Sequence, residues 1–239
     1  MNPKSNILCV FEGESREGKY FKTLSNVYFE DSSFLVCCYG NDIYELYDEM
    51  QDEDLDIVEV LRESKNVPKN AEILAGYDRD DFSQVFLFFD IECQDNGFDG
   101  NKFLELTKRF NEETEAGKLF VSYPMIEAIR DIPSYETFLD HRVKVQHCKG
   151  SCYKVLSSQG IQTFNDPRHN IREDWDRLVV LSVEKGNYII SGERDDKSSQ
   201  PSQHEIAKSQ LSSIAEIESL YVLGSFPLFV YHQKPEIFD

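Results

Sequence analysis

The chain has 239 residues, 40% hydrophobic and 13% aromatic, enough for one substantial core with room for an appendage. Its 44 Asp and Glu outnumber 25 Lys and Arg, and the resulting net charge of −19 weighs against a surface made for phosphate everywhere, because phosphate contacts need bases. No apolar run approaches the ~18 residues of a membrane span, the opening run is cut by Glu12 without a cleavage site, and six cysteines lack framework spacing, so an intracellular, cytoplasmic chain with no membrane partner is expected.

Asn6 to Phe11 (NILCVF) predicts a buried strand, and Arg16 to Ser25 a helix that buries Tyr20, Phe21 and Leu24. Between them, Gly13 to Lys19 spells G-x-x-x-x-G-K. A phosphate-binding loop of that form needs a Ser or Thr after the lysine and positive potential around the phosphates. Here Tyr20 stands in that position, and Glu12, Glu14 and Glu17 crowd the turn. The turn therefore suits a cation better than a polyphosphate.

Phe34 to Gly40 (FLVCCYG) predicts a second strand, with Asn41 or Asp42 placed to cap the helical stretch that follows. That stretch, Asp42 to Glu63, carries ten acids and one base, Arg62. A solvated helix face accounts for it, and a docking surface for a basic partner is the alternative. Val85 to Asp90 (VFLFFD) is the most apolar strand candidate. A helix is expected from Asn101 to Ala116, and KLFVSYP supplies a fourth strand stopped by Pro124. Strand and helix alternate throughout, which predicts an α/β fold with a parallel sheet covered by helices.

Beyond Asp131 the pattern changes to helix-like segments separated by loops at DIPSYE, NDPRHN and Glu193 to Gln203. RLVVLSVEKGNYIISG reads as a helix with a stop at Gly186, a strand pair being the alternative. The expected organisation is an α/β domain over 1–131 and a mainly helical region over 132–239. Phe226, Leu228, Phe229 and Tyr231 read as core residues, as do Cys9, Cys37 and Cys38. His141 to Lys154 holds four bases and no acid, so Arg142, Lys144 and Lys149 are candidates for steering phosphates, with ordinary surface bases as the alternative. His141, His147, Cys148 and Cys152 lack the C-x-x-C spacing of a zinc knuckle.

Parallel α/β sheets bind ligands at the carboxyl ends of their strands. Glu12 follows the first strand; Asp90 and Glu92 end the third, and their one-residue spacing puts both on one side of an extended strand end. Three converging carboxylates repel one another unless a divalent cation sits between them. An all-oxygen set suits Mg²⁺ or Mn²⁺.

These residues carry a family resemblance. A Glu-Gly turn after the first strand, then an acid-x-acid pair after a later apolar strand, is similar to the TOPRIM domain of topoisomerases, primases and OLD-type nucleases. FEGESREGKYFKTL in particular resembles the opening of RloB-like nucleases and of the TOPRIM subunit of PARIS-type phage-defence systems, over roughly the first 130 residues. The resemblance implies that Glu12 is the catalytic glutamate, Gly13 the turn glycine and Asp90 the first acid of the pair, with Glu92 standing where the family usually has Asp. Glu17 matches a further family acid, and LFVSYPMIEAIRD resembles the last strand and helix, which would bring Ser122 and Glu127 to the site. Against this, Glu127 is also explained as a helix first-turn acid after Pro124. The implied activity is Mg²⁺- or Mn²⁺-dependent cleavage of DNA or a structured RNA such as tRNA, by a toxic effector working with an ABC-type ATPase and open to self-association. The rival reading is a regulatory or scaffold subunit that keeps the fold and acts only through a partner. A receiver domain would need a late strand-end lysine, which KLFVSYP lacks.

Overall fold

A computed structural model describes residues 6–52, 54–95, 97–166, 169–194 and 199–238. Residues 167–168 of the expected NDPRHN loop and 195–198 of the expected Glu193–Gln203 loop lie outside the described residues. The elements run β1 (Asn6–Phe11), α1 (Glu17–Tyr28), β2 (Ser33–Cys38), α2 (Ile43–Asp52), α3 (Ile57–Glu63), α4 (Lys69–Ile73), β3 (Phe82–Asp90), α5 (Gly100–Arg109), β4 (Asn111–Glu112) and β5 (Gly117–Ser122). A 3-10 turn at Ile126–Arg130 leads to β6 (Arg142–Lys144), α6 (Gly150–Leu156), α7 (Arg172–Ser191), α8 (Gln203–Ile217), β7 (Ser219–Tyr221) and α9 (Ser225–Gln233).

Among the described residues, β1 to β5 form one sheet in the order β2-β1-β3-β5-β4. β1 runs parallel to β2 and β3, β3 runs parallel to β5, and only the short β4 is antiparallel. Burial follows from that order. Leu8 to Phe11 and Val85 to Asp90 are buried without alternation, as central parallel strands covered on both faces must be. The fold is thus the expected α/β architecture, a mostly parallel sheet between helices followed by a helical C-terminal part.

One face of the sheet is a field of phenylalanines. Phe11, Phe86, Phe88 and Phe120 point toward α1 and α9, where Phe21 lies 5.3 Å from Phe11, Phe226 4.8 Å from Phe88 and Phe229 5.0 Å from Phe86, centroid to centroid. Phe226, Leu228, Phe229 and Tyr231 are all buried, as expected of core residues. Phe89 turns the other way, toward Tyr39, and α5 packs there against α2 and α8. The last helix of the chain therefore completes the core of its first strands.

Four local expectations change. The acidic stretch forms two helices, because Asp56 accepts the Val58 and Glu59 N–H groups and Glu59 returns to the Asp56 N–H, a capping box that starts α3 anew. At its other end Asp42 is the cap, taking the N–H groups of Tyr44 and Glu45. The helix expected to reach Ala116 stops at Arg109 and gives way to the β4–β5 hairpin. That hairpin turns on Gly117 at φ +117, where a Cβ would come within 2.6 Å of Leu87. Gly186 does not end its helix; α7 runs through it because Pro201 crosses so closely that a Cβ would meet its ring at 2.7 Å, and the stop falls at left-handed Gly192. Pro124 leads only into a 3-10 turn, and the C-terminal part contains the antiparallel pair β6–β7. No helix among the described residues is long and apolar enough to cross a membrane.

Because Phe229 packs against Phe21, Phe29, Phe86, Phe88 and Phe120 at once, Phe229→Ala should destabilise the whole chain by about 3–5 kcal/mol in urea unfolding, in a single transition.

Candidate metal centre

Strand pairing continues one residue past β1, where the Glu12 N–H donates to Phe88 O at 3.1 Å and Glu12 O accepts from the Gly40 N–H at 2.9 Å. This fixes the glutamate backbone at the carboxyl end of the sheet. Its side chain then folds back over the neighbouring strand end, and Oε2 accepts the Asp90 N–H at 2.8 Å. Asp90 closes β3 in register with Ser122 of β5 and is only 8% exposed. The next peptide is clamped on both sides: the Ile91 N–H donates to Ser122 O at 3.2 Å, and Ile91 O accepts the Tyr44 hydroxyl at 2.9 Å.

Glu92 does not continue the extended strand end that its spacing suggested. Its φ of +52° lies in the left-handed region, unusual for a residue with a Cβ and costly by about 1–2 kcal/mol. The twist nevertheless delivers its carboxylate to the others. One oxygen each of Glu12, Asp90 and Glu92 lies within 4.8 Å of the other two, and among the described residues no other group of His, Cys, Asp or Glu has such a geometry.

Burial and mutual repulsion leave their mark on all three. Loss of solvent pushes Glu12 up to about 8, against the help of the Asp90 N–H and with further pressure from Glu92, Glu17 and Asp42. Asp90 is raised well above the carboxylate range by burial and then by Glu12, Glu17, Glu92 and Glu127. Burial raises Glu92 too, helped by Asp95 and opposed by Gln94 and Lys154. A cluster that holds its protons so tightly presents several oxygens and no internal cation. A divalent metal ion meets that need, so the three carboxylates could hold one.

Two further expected acids sit at the rim. Glu17, in the first turn of α1, is buried with Oε1 3.3 Å from where a Gly13 Cβ would stand, which is why the turn after Glu12 takes a glycine. Glu127 is 1% exposed and already paired, with Arg16 at 2.7 Å and Lys154 at 3.9 Å. Ser122 turns away to a hydrogen bond with Ser225. Arg16, Lys154 and Tyr44 are neighbours that sequence reasoning did not single out. Arg16 lay inside the quoted turn and Lys154 at the end of the basic island, but only the approach of α6 to the 3-10 turn brings them together.

Arg142, Lys144 and Lys149 do not join this cluster. Arg142 and Lys144 lie on β6, which pairs with β7, and Lys149 precedes α6. The imagined zinc ligands are likewise dispersed: His141 lies 3.0 Å from Asp131, Cys148 is buried and Cys152 exposed.

No family profile, no curated protein and no solved structure matches the chain.

The raised pKa of Glu12 fixes the sign of a pH effect. Between its ordinary value of 4.5 and about 8 the folded chain binds the proton that the unfolded chain has released. This contribution to stability is complete below pH 4.5 and lost as pH rises through 8. A bound cation competes with that proton, so stabilisation by Mn²⁺ or Mg²⁺ should grow from pH 6 to 9. At ~100-fold excess over Kd the melting temperature should rise by about 5–10 °C relative to EDTA. Glu12→Gln should remove most of the rise; an equal rise in that variant would place the ion elsewhere.

Proposed function

We propose that the chain is a Mg²⁺- or Mn²⁺-dependent TOPRIM-type nuclease that hydrolyses phosphodiester bonds in DNA or a structured RNA such as tRNA. The observation that carries this reading is the convergence of Glu12, Asp90 and Glu92 within 4.8 Å at the carboxyl ends of β1 and β3. Those are the residues that the resemblance of FEGESREGKYFKTL and FFDIE to TOPRIM sequences singles out.

In this reading Glu12, Asp90 and Glu92 hold the ion, which when bound would supply Lewis-acid polarisation of a phosphoryl oxygen and offset the charge that builds in hydrolysis. The protein's own groups divide the remaining work. Glu12, aimed by the Asp90 N–H, serves as a ligand of that ion or as the general base beside the reacting phosphate. Asp90 is the most enclosed of the three. Arg16 and Lys154, 39% and 51% exposed, stand on the solvent side with Glu127 behind them, where a phosphate would approach. Arg142, Lys144 and Lys149 extend the positive surface and attract the strand in a chain that is otherwise acidic.

The same resemblance makes the nuclease the effector of an antiphage system working with an ABC-type ATPase. The face that would meet a basic partner surface is the outer side of α2, where Glu45, Asp48, Glu49 and Asp52 are exposed.

The deciding experiment is Glu12→Ala. Removing one preorganised group of this kind costs about 10²–10³ in rate, so purified Glu12→Ala should lose at least that much Mn²⁺-dependent cleavage of plasmid DNA and of total tRNA while melting cooperatively. Cleavage equal to wild type would end the assignment. Charge reversal of Lys144 and Lys149 together should weaken binding of a labelled strand and lower the slope of log K against log salt by about 2–4 for two lost and reversed contacts.

A further inference from the structure

Between the 131–133 loop, β6, the 3-10 turn Val145–His147 and the end of α6 lies a cavity of about 420 Å³. Its volume falls in the ~300–1,000 Å³ range of small-ligand sites. In a chain of net charge −19, its wall has the opposite sign: Arg142 and Lys144 line it beside His141 and His147, with Asp131 as the one acid. That acid is engaged. Asp131 accepts the Tyr153 hydroxyl at 2.8 Å and faces His141 Nε2 at 3.0 Å.

The basic wall is also held in place. The His141 backbone is tied twice, its carbonyl accepting from the buried Lys185 Nζ at 2.9 Å and from the Val222 N–H at 3.2 Å. The His141 ring is turned to the same acid, its Nε2 3.0 Å from Asp131. Arg142 lies flat on the Tyr221 ring, 3.9 Å from its centroid, and also donates to the Tyr221 hydroxyl. The acid nearest in sequence, Asp140, is taken up by Arg194 at 3.0 Å and by the Tyr188 hydroxyl. Arg142 and Lys144 outnumber Asp131, the one carboxylate that lines the cavity with them. Val143 and Leu156 add apolar wall that a bare phosphate would leave uncovered.

We propose that this cavity binds a nucleoside 5′-phosphate, with the phosphate among Arg142, Lys144 and His147 and the nucleoside against the apolar wall. The shared chemistry has two sources, a free nucleotide or the end of a nucleic-acid strand. The site does not depend on the acidic cluster. It adjoins that cluster through α6, whose Lys154 reaches Glu127 and whose Leu156 lines the cavity.

The test is calorimetric titration of the full chain in EDTA with nucleoside 5′-monophosphates of all bases, with inorganic phosphate, and with 5′-phosphorylated single-stranded tetranucleotides. At least one nucleotide probe should bind, more tightly than inorganic phosphate, and Lys144→Ala and His147→Ala should each weaken it by about tenfold. Lys144→Arg should restore most of the affinity, which a folding defect would not allow. Equal binding of mononucleotide and tetranucleotide identifies a free nucleotide as the ligand, and tighter binding of the tetranucleotide identifies a strand end; both support the site. Glu12→Gln should bind as wild type even if the nuclease reading fails. Absence of binding by every probe, binding unchanged in Lys144→Ala and His147→Ala, phosphate binding as tightly as nucleotide, or loss of binding in Glu12→Gln would each overturn the proposal.

Discussion

Three carboxylates held within 4.8 Å of one another, one of them almost wholly buried, repel each other strongly, and the rest of the structure is arranged to keep them there. The restraint is the carboxyl edge of the parallel sheet. Backbone hydrogen bonds from Glu12 to Phe88 and from Ile91 to Ser122 carry the ladder past the formal strand ends, and the Asp90 N–H takes hold of Glu12 directly. Such an edge resists relaxation because each group is fixed by the peptide plane of its neighbour. The chain accepts a left-handed Glu92 for the same end. Protons satisfy this cluster when they are available, and a metal ion could satisfy it when they are not.

The edge is only as firm as the core beneath it. Phe88, two residues before Asp90 on the same face, stacks with Phe120 and meets Phe226 and Phe229 from α9. The C-terminal helix thus lies directly under the acids. α7 and α8 support α9 and α5 in turn, and Gly186 lets Pro201 come close enough for that packing. Aromatic burial of this kind dominates core energetics.

Charge is segregated in space as well as in sequence. The acids of α2 and α3 cover one outer surface, while Arg142, Lys144, Lys149 and Lys154 lie along β6 and α6, by the carboxylate cluster and the neighbouring cavity. Segregation lets a chain of net charge −19 offer local positive potential, since exposed charges are screened beyond about 8–10 Å. The 3-10 turn at Ile126–Arg130 links the two regions. Glu127 pairs toward the cluster, Arg130 is buried against Ser157, and Asp131, just beyond the turn, faces the cavity.

Much of this was legible along the chain. NILCVF and VFLFFD announced central strands because uninterrupted apolar runs belong where both faces are covered, and the acids that ended them marked the binding edge. The apolar character of Phe226 and Phe229 placed them in a core, though not in which one. The sequence alone could not show where α5 ends or why Gly186 sits inside a helix, since each depends on contacts with distant residues such as Leu87 and Pro201; the restart at Asp56 rests instead on a capping box with Glu59, a local signal. The sequence marked Arg142 and Lys144 as bases for steering phosphates, but only pairing with β7 and the approach of Tyr221 show that they wall a cavity. Local patterning determined β1, β2, β3, β5 and the three acids at the strand ends, because periodicity and end residues are properties of short segments. Proximity decided the rest: which charges meet, which are neutralised and which remain for a ligand is a matter of distances between segments, and those exist only once the chain has folded.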